Sequence, residues 1–185
     1  MGNPVVIVGS GLAGYAVARE LRKLNAEIPI VMISADHGGF YSKPMLSNAL
    51  STGRTPESIL NGDAVQMASQ LKIIIRLHCR VVAIDEPGYA VTLVDGERIF
   101  YDRLVLALGA DQVRLPLLGD GIEKVLTIND LDDYKKFRDA LDGKKRISII
   151  GAGLIGCEFA NDLATTGYHV DVIDISAQPL GRLLP

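Results

Sequence analysis

Val5-Val-Ile-Val-Gly-Ser-Gly-Leu-Ala-Gly14 recurs, in residue type and order, as Ile147-Ser-Ile-Ile-Gly-Ala-Gly-Leu-Ile-Gly156. Each copy opens on a short, mostly β-branched apolar run, the pattern of a strand buried on both faces. Each then places three glycines as G-x-G-x-x-G and passes into a helical pattern. After the first copy that pattern runs from Tyr15 to about Leu24, with Ala16, Leu21 and Leu24 on its apolar side. Ile30-Val-Met-Ile33 reads as the next strand. Strand, helix and strand make a parallel, right-handed unit. The second copy repeats the three pieces and ends on a strand from Val170 to Ile173. A repeat so widely spaced is not a solenoid; it implies two folds of one kind in a single chain.

The glycine spacing has a chemical meaning. The first glycine allows a tight turn, the second lets backbone approach a pyrophosphate, and the third lets the helix pack closely on the strand. The helix N-terminus then offers free N–H groups and partial positive charge to phosphates, so no cationic side chain is needed. These roles fall on Gly9, Ser10, Gly11, Leu12, Ala13 and Gly14 in one loop. In the other they fall on Gly151, Gly153, Leu154, Ile155 and Gly156. A single such loop also occurs as a turn without a ligand; two copies in the same strand–loop–helix context favour the nucleotide reading. The expected fold class is α/β, with tandem Rossmann-like dinucleotide-binding folds.

An acid at the end of the second strand tests each loop. His169-Val-Asp-Val-Ile-Asp174 puts Asp174 where a carboxylate accepts from a ribose 2′-hydroxyl and favours NAD over NADP. The competing reading is a solvated strand-end acid. The first unit reads Ile33-Ser34-Ala35-Asp36, with Ala35 where the acid is usual and Asp36 one place later. Ribose binding there rests either on backbone groups around Ser34 and Ala35 or on Asp36.

Between the copies the chain is irregular from Gly38 to Asn61, with a short helical candidate at Met45 to Leu50. A helix from about Asp63 to Leu71 leads into Ile73-Ile-Ile75. Arg80 to Asp85, Ala90 to Val94 and Arg98 to Tyr101 read as strands joined by hairpin turns. Leu104 to Leu108 reads as a further buried strand, ended by Gly109. A polar helix spans Asp130 to Leu141, and its acidic start suits a helix N-terminus rather than catalysis. The expected division is 1–111, a connecting segment 112–143, and the start of a second domain at 144–185.

Composition narrows the function. The 185 residues carry a net charge of -3 and a pI near 5.6, with 48% hydrophobic residues. There is no basic patch for nucleic acid and no apolar run of membrane-spanning length. No secretory signal opens the chain, and Val6 stands where a myristoylation motif needs Ser or Thr. Cys79 and Cys157 are far apart, which suits unpaired thiols in a reducing, cytoplasmic setting. It also removes the neighbouring cysteine pair on which disulfide reductases rely. His37, His78 and His169 have no ligand spacing, so no metal site is expected.

Further motifs carry a family resemblance. Leu104-Val-Leu-Ala-Leu-Gly-Ala110 resembles the A-T-G-type strand that leads out of an FAD domain, with Leu108 in place of Thr. Gly151-Ala-Gly-Leu-Ile-Gly-Cys-Glu158 resembles an NAD loop followed by a glutamate. Tyr41-Ser-Lys-Pro-Met-Leu-Ser47 resembles a segment of the ferredoxin- and rubredoxin-reductase branch. Together with Gly156 to Asp162, these make the whole chain similar to the N-terminal portion of the rubredoxin–NAD(+) reductases, within the FAD-dependent pyridine nucleotide-disulfide oxidoreductases.

The resemblance implies an FAD domain with an inserted NAD(P) domain. FAD pyrophosphate would lie on Gly9 to Gly14, its ribose near Ser34 to Asp36, and its adenine on the backbone of Val81. Ala107 and Gly109 belong to the strand beside the cofactor. Lys43, followed by Pro44, and Glu158 would lie near the isoalloxazine as a pair that orients it. The alternatives for those two are a solvated loop lysine and a carboxylate favoured by a helix start.

In such enzymes the flavin accepts hydride from NADH and passes electrons to rubredoxin or a similar small iron–sulfur protein, so no side chain need act as a catalytic base. The family continues beyond the point matched by Pro185, so a truncated chain with uncovered sheet edges and apolar faces is expected. Two other functions stay open. One is a related NADH reductase for flavorubredoxin or ferredoxin; the other is a non-catalytic FAD- or NAD-binding fragment.

Overall fold

The computed structural model describes residues 2–181 and 183. In chain order the elements are β1 (Val5–Val8), α1 (Leu12–Leu24), β2 (Ile30–Ile33), α2 (Pro56–Ile59), α3 (Ala64–Leu71), β3 (Ile74–Arg76), β4 (Val81–Asp85), β5 (Ala90–Leu93), β6 (Arg98–Phe100), β7 (Arg103–Leu106), α4 (Leu131–Ala140), β8 (Arg146–Ile150), α5 (Leu154–Thr165) and β9 (His169–Ile173). Single 3-10 turns occupy Lys43–Ser47 and Ile122–Lys124. No helix among the described residues is long and apolar enough to cross a membrane. The chain divides into two compact units, Met1–Ser42 with Leu60–Asp111 and Lys43–Ile59 with Gln112–Pro185.

In the first unit four parallel strands lie in the order β3-β2-β1-β7. All four residues of β1 are buried, because each face of this sheet is covered. Val5 and Ile7 pack with Tyr15 and Ala18 of α1 and with Met67 and Leu71 of α3. Val6 and Val8 point the other way, onto Val91, Leu93 and Tyr101. The antiparallel meander β4-β5-β6 supplies that second cover. Side chains alternate across a strand, so four consecutive apolar residues serve two cores at once. Burying each contributes roughly 1.5–3 kcal/mol.

Helix α1 begins at Leu12 rather than at Tyr15. The last three residues of the glycine loop already form its first turn. Helix α3 starts where Asp63 and Gln66 make a reciprocal capping box, each side chain accepting from the other's backbone N–H. Leu104 to Leu108 is less buried than its composition suggests: β7 ends at Leu106, which is 53% exposed, and Leu108 is 68% exposed. β7 is an edge strand with β1 as its neighbour, and that position leaves its outer residues uncovered.

The second unit has two parallel strands, β8 and β9, with α5 between them in sequence. Ile150 and Ile173, which pair across this sheet, are both exposed. Helix α4 is capped by Asp130, which accepts from Asp133 N, so the acidic stretch is indeed a helix start. Phe137 of α4 meets Phe159 of α5 edge to face, with ring centroids 5.8 Å apart. Lys43–Ile59 belongs with this unit although sequence neighbours on both sides belong to the first.

Candidate dinucleotide-binding loops

The two glycine loops share one geometry. Gly9 and Gly151 have φ of 112° and 111°, a region that L side chains rarely adopt. The N–H of each donates, at 2.8 Å, to the carbonyl at the end of the next strand: Gly9 to Ile33 and Gly151 to Ile173. A Cβ on Gly14 would lie 1.9 Å from Gly9 O, and one on Gly156 would lie 1.9 Å from Gly151 O. The third glycine is therefore demanded by the approach of helix to strand.

The middle glycine is demanded by neither. Gly11 and Gly153 cap their helices with φ of -74° and extended ψ, which any residue adopts. A Cβ on either would meet no atom of the described residues within 4 Å. Beside them Leu12, Ala13, Leu154 and Ile155 are exposed. No acidic residue occupies the first turn of α1 or α5. Among the described residues each loop thus leaves its middle glycine and the positive end of a helix uncovered, while Leu180 N donates to Ala152 O at 2.8 Å in the second loop.

The matching bonds from Gly9 and Gly151 also align the strand ends. Ser34, not Ala35, is the counterpart of Asp174, one place earlier than the sequence reading put the acid's position. Ala35 is exposed. Asp36 reaches back instead. Its Oδ1 accepts from Ser34 Oγ at 2.5 Å, Gly38 N at 2.8 Å and Ser10 Oγ at 3.3 Å. Among the described residues no protein donor reaches Oδ2. Burial pushes the Asp36 carboxyl up, but the bonds from Ser34, Gly38 and Ser10, with His37 nearby, outweigh it and hold it below the usual range.

In the second unit Asp174 Oδ2 accepts from Ala152 N at 2.6 Å and Oδ1 from Ser176 N at 2.7 Å. The backbone bonds from Ala152 and Ser176 lower its carboxyl to about 2. A depressed carboxyl stabilises the fold above its unfolded value, and that contribution is lost as pH falls through the folded value. We expect the Asp174 carboxyl carbon to titrate near pH 2 by NMR, with the Ala152 amide proton shifting in step. A midpoint at the ordinary 3.8 would show that the carboxylate does not hold the loop.

The remaining expected contacts are distributed as follows. Val81 packs against the meander-side core and pairs with Leu93 across β4 and β5. Ala107 N donates to Val8 O, and Ala107 O is the atom that a Cβ on Gly9 would strike, at 2.0 Å. Gly109 has φ of 71° and open space where its Cβ would be. Lys43 and Glu158 are not joined. Lys43 Nζ donates to Asn129 Oδ1 at 3.0 Å, and Glu158 Oε2 accepts from Ser47 Oγ at 2.5 Å. Pro44 is exposed, and its carbonyl also lies within reach of Ser47 Oγ, at 3.1 Å.

A sequence model of the pyridine nucleotide-disulphide oxidoreductases matches residues 3–185. The chain belongs to this family. The rubredoxin-NAD(+) reductase of Acinetobacter baylyi is 51% identical over 99% of this chain and 48% of its own length. That of Alcanivorax borkumensis is 48% identical over 99% of this chain and 47% of its own length. Among solved structures, a putidaredoxin reductase in covalent complex with putidaredoxin matches with a TM-score of 0.87 and 32% identity, over 99% of this chain and 45% of that one. The chain spans about half the length of the curated relatives it matches.

Within this family frame, residues to which the motifs attached no role also shape the second unit. Asp162 is buried and accepts from two backbone N–H groups of the Lys43–Ile59 segment. The available signal was helical spacing: Asp162 lies one turn beyond Glu158 and between Phe159 and Leu163, both buried. Ser47 closes the Tyr41–Ser47 motif, but its partner lies too far away in sequence to be read from it, and Asn129 gave no signal.

Proposed function

We propose that the chain is the dinucleotide-binding part of an NADH-dependent FAD oxidoreductase that passes electrons to rubredoxin or a similar small iron–sulfur protein. The observation that carries this reading is the middle glycine of each loop. Among the described residues neither backbone conformation nor packing calls for glycine at Gly11 or Gly153. A pyrophosphate approaching the backbone does. Both loops pass this test of fit, which supports two nucleotides rather than one.

In this reading Gly9 to Gly14 hold the FAD pyrophosphate, and the open Oδ2 of Asp36 takes a ribose hydroxyl. Val81 meets the adenine through backbone, with Ala107 and Gly109 at the edge of the same site. Gly151 to Gly156 hold NADH, with Asp174 exchanging the Ala152 amide for the ribose. Lys43, Pro44, Ser47 and Glu158 serve the flavin side. When bound, FAD takes hydride from NADH and releases the electrons singly. The protein's own residues bind and orient. Cys79 and Cys157 are both free thiols, which suits a route without a redox disulfide and a reducing, cytoplasmic setting.

In domain terms, residues 1–111 supply the FAD part, 112–143 connect, and 144–185 begin the NAD part. The relatives that support rubredoxin as acceptor share the chain's full span.

Valine at Gly11 and, separately, at Gly153 tests the assignment. Gly11→Val should weaken retention of flavin through gel filtration by at least about tenfold, and Gly153→Val should weaken NADH binding equally, each leaving the circular dichroism unchanged. Both variants retaining both nucleotides at wild-type affinity would refute the reading.

A further inference from the structure

Asp162 is 3% exposed. Among the described residues no Lys, Arg or His forms an ion pair with it. A buried carboxylate is costly unless its oxygens are hydrogen-bonded. Both of these are, and both to main chain: Oδ1 accepts from Ser51 N at 2.7 Å and Oδ2 from Leu50 N at 3.1 Å. An asparagine could not copy this, because one of its two terminal atoms is a donor.

One turn earlier on α5, Glu158 takes the Ser47 hydroxyl at 2.5 Å. Residues four apart on a helix share a face. Helix α5 therefore grips the 43–51 segment at two points, with Glu158 on a side chain and Asp162 on backbone. The Ser47 hydroxyl can swing about its own χ1; the two amides at 50 and 51 cannot move without the chain that bears them. Asp162 is thus the anchor of the pair.

We propose that Asp162 is the positioning residue for Glu158: its carboxylate fixes the turn at 50–51 on α5 and so delivers Ser47 to the Glu158 carboxylate. The significance for catalysis rests on the proposed function, in which Glu158 serves the flavin side of the site.

Amide NMR on the 185-residue chain tests the assignment. Asp162→Ala should speed hydrogen exchange at Leu50 and Ser51 by about ten- to hundredfold, as for loss of bonds to a charged acceptor. It should also shift the Ser47 resonances, while the amides of β8 and β9 keep their rates. Asp162→Asn, with one acceptor left, should restore part of the protection, and it carries the same comparison if the alanine variant does not fold. Ser47→Ala should leave Leu50 and Ser51 protected. A Ser47 signal unmoved by loss of Asp162, or uniform acceleration throughout the second unit, overturns the proposal. In parallel the FAD-loaded wild-type chain is exposed to NADH without oxygen. A flavin that stays oxidised there counts against the proposed function alone, since the amide rates judge Asp162 independently.

Discussion

Alanine at Gly14 should destabilise the first unit by about 3 kcal/mol or more, whereas alanine at Gly11 should change its stability by less than about 0.5 kcal/mol. Intrinsic propensity points the other way, because glycine-to-alanine inside a helix gains about 1 kcal/mol. Contact decides the sign. A Cβ on Gly14 lies 1.9 Å from Gly9 O. That oxygen is backbone, and the Gly9 N–H is tied to Ile33 O at 2.8 Å, so the loop cannot yield without breaking the β1–β2 junction. Relief requires α1 to lift from β1, which opens the core around Ile7 and Tyr15. Gly156→Ala should act alike in the second unit, where the same contact with Gly151 O is also 1.9 Å. Denaturant titration followed by circular dichroism measures the difference. Wild-type stability in Gly14→Ala would mean that α1 does not sit against β1 as described.

Loss of Arg22 should cost about 2–3 kcal/mol, and lysine there should recover less than half of it. The Arg22 guanidinium donates to five carbonyls: Leu71 at 2.8 Å, Asn25 at 3.1 Å, Ala26 and Ile28 at 2.9 Å each, and Lys72 at 3.0 Å. Asn25 caps the C-terminus of α1, and Lys72 caps that of α3. One cation thus satisfies carbonyls at two helix ends, where positive charge is favoured. Bonds from a charged donor contribute about 1.5–3 kcal/mol singly. These five share one partly exposed side chain, so their sum falls far below five times that figure. The planar fork of arginine reaches carbonyls on three sides, and a lysine ammonium with three donors cannot. Thermal and denaturant unfolding of Arg22→Ala and Arg22→Lys provide the comparison; a lysine variant as stable as wild type would refute the role given to the fork.

The parts of the site legible in sequence are those whose cause is local. Glycine spacing, the apolar run before it and the helical pattern after it all lie within one short stretch, and both copies could be placed to within a few residues. Strand-end alignment was not local. It depends on which carbonyl the first glycine meets, and that bond moved the counterpart of Asp174 from Ala35 to Ser34. The side chain of Asp36 then reaches back over two residues to Ser34 and across the loop to Ser10. No periodicity encodes such a return.

The pairing of Lys43 with Glu158 shows the same limit. Both residues were singled out by motif, yet Lys43 meets Asn129 and Glu158 meets Ser47. Which partner each side chain takes depends on how the 43–51 segment lies against groups 86 and 111 residues away in sequence. That placement is held by Asp162, which closed the Gly156–Asp162 resemblance with no role attached to it.

Sequence alone therefore determined the α/β class, the two glycine loops, the helices that start on them and the absence of a neighbouring cysteine pair. These follow from backbone conformation, side-chain periodicity and residue type, all of which act within a few residues. Tertiary structure decided the rest: the two covers of the parallel sheet, the exposure of Leu106 and Leu108 at its edge, the convergence of donors on Asp36, and the grip of α5 on the 43–51 segment. Each depends on which distant backbone groups meet, and a hydrogen bond between distant residues leaves no mark on the sequence between them.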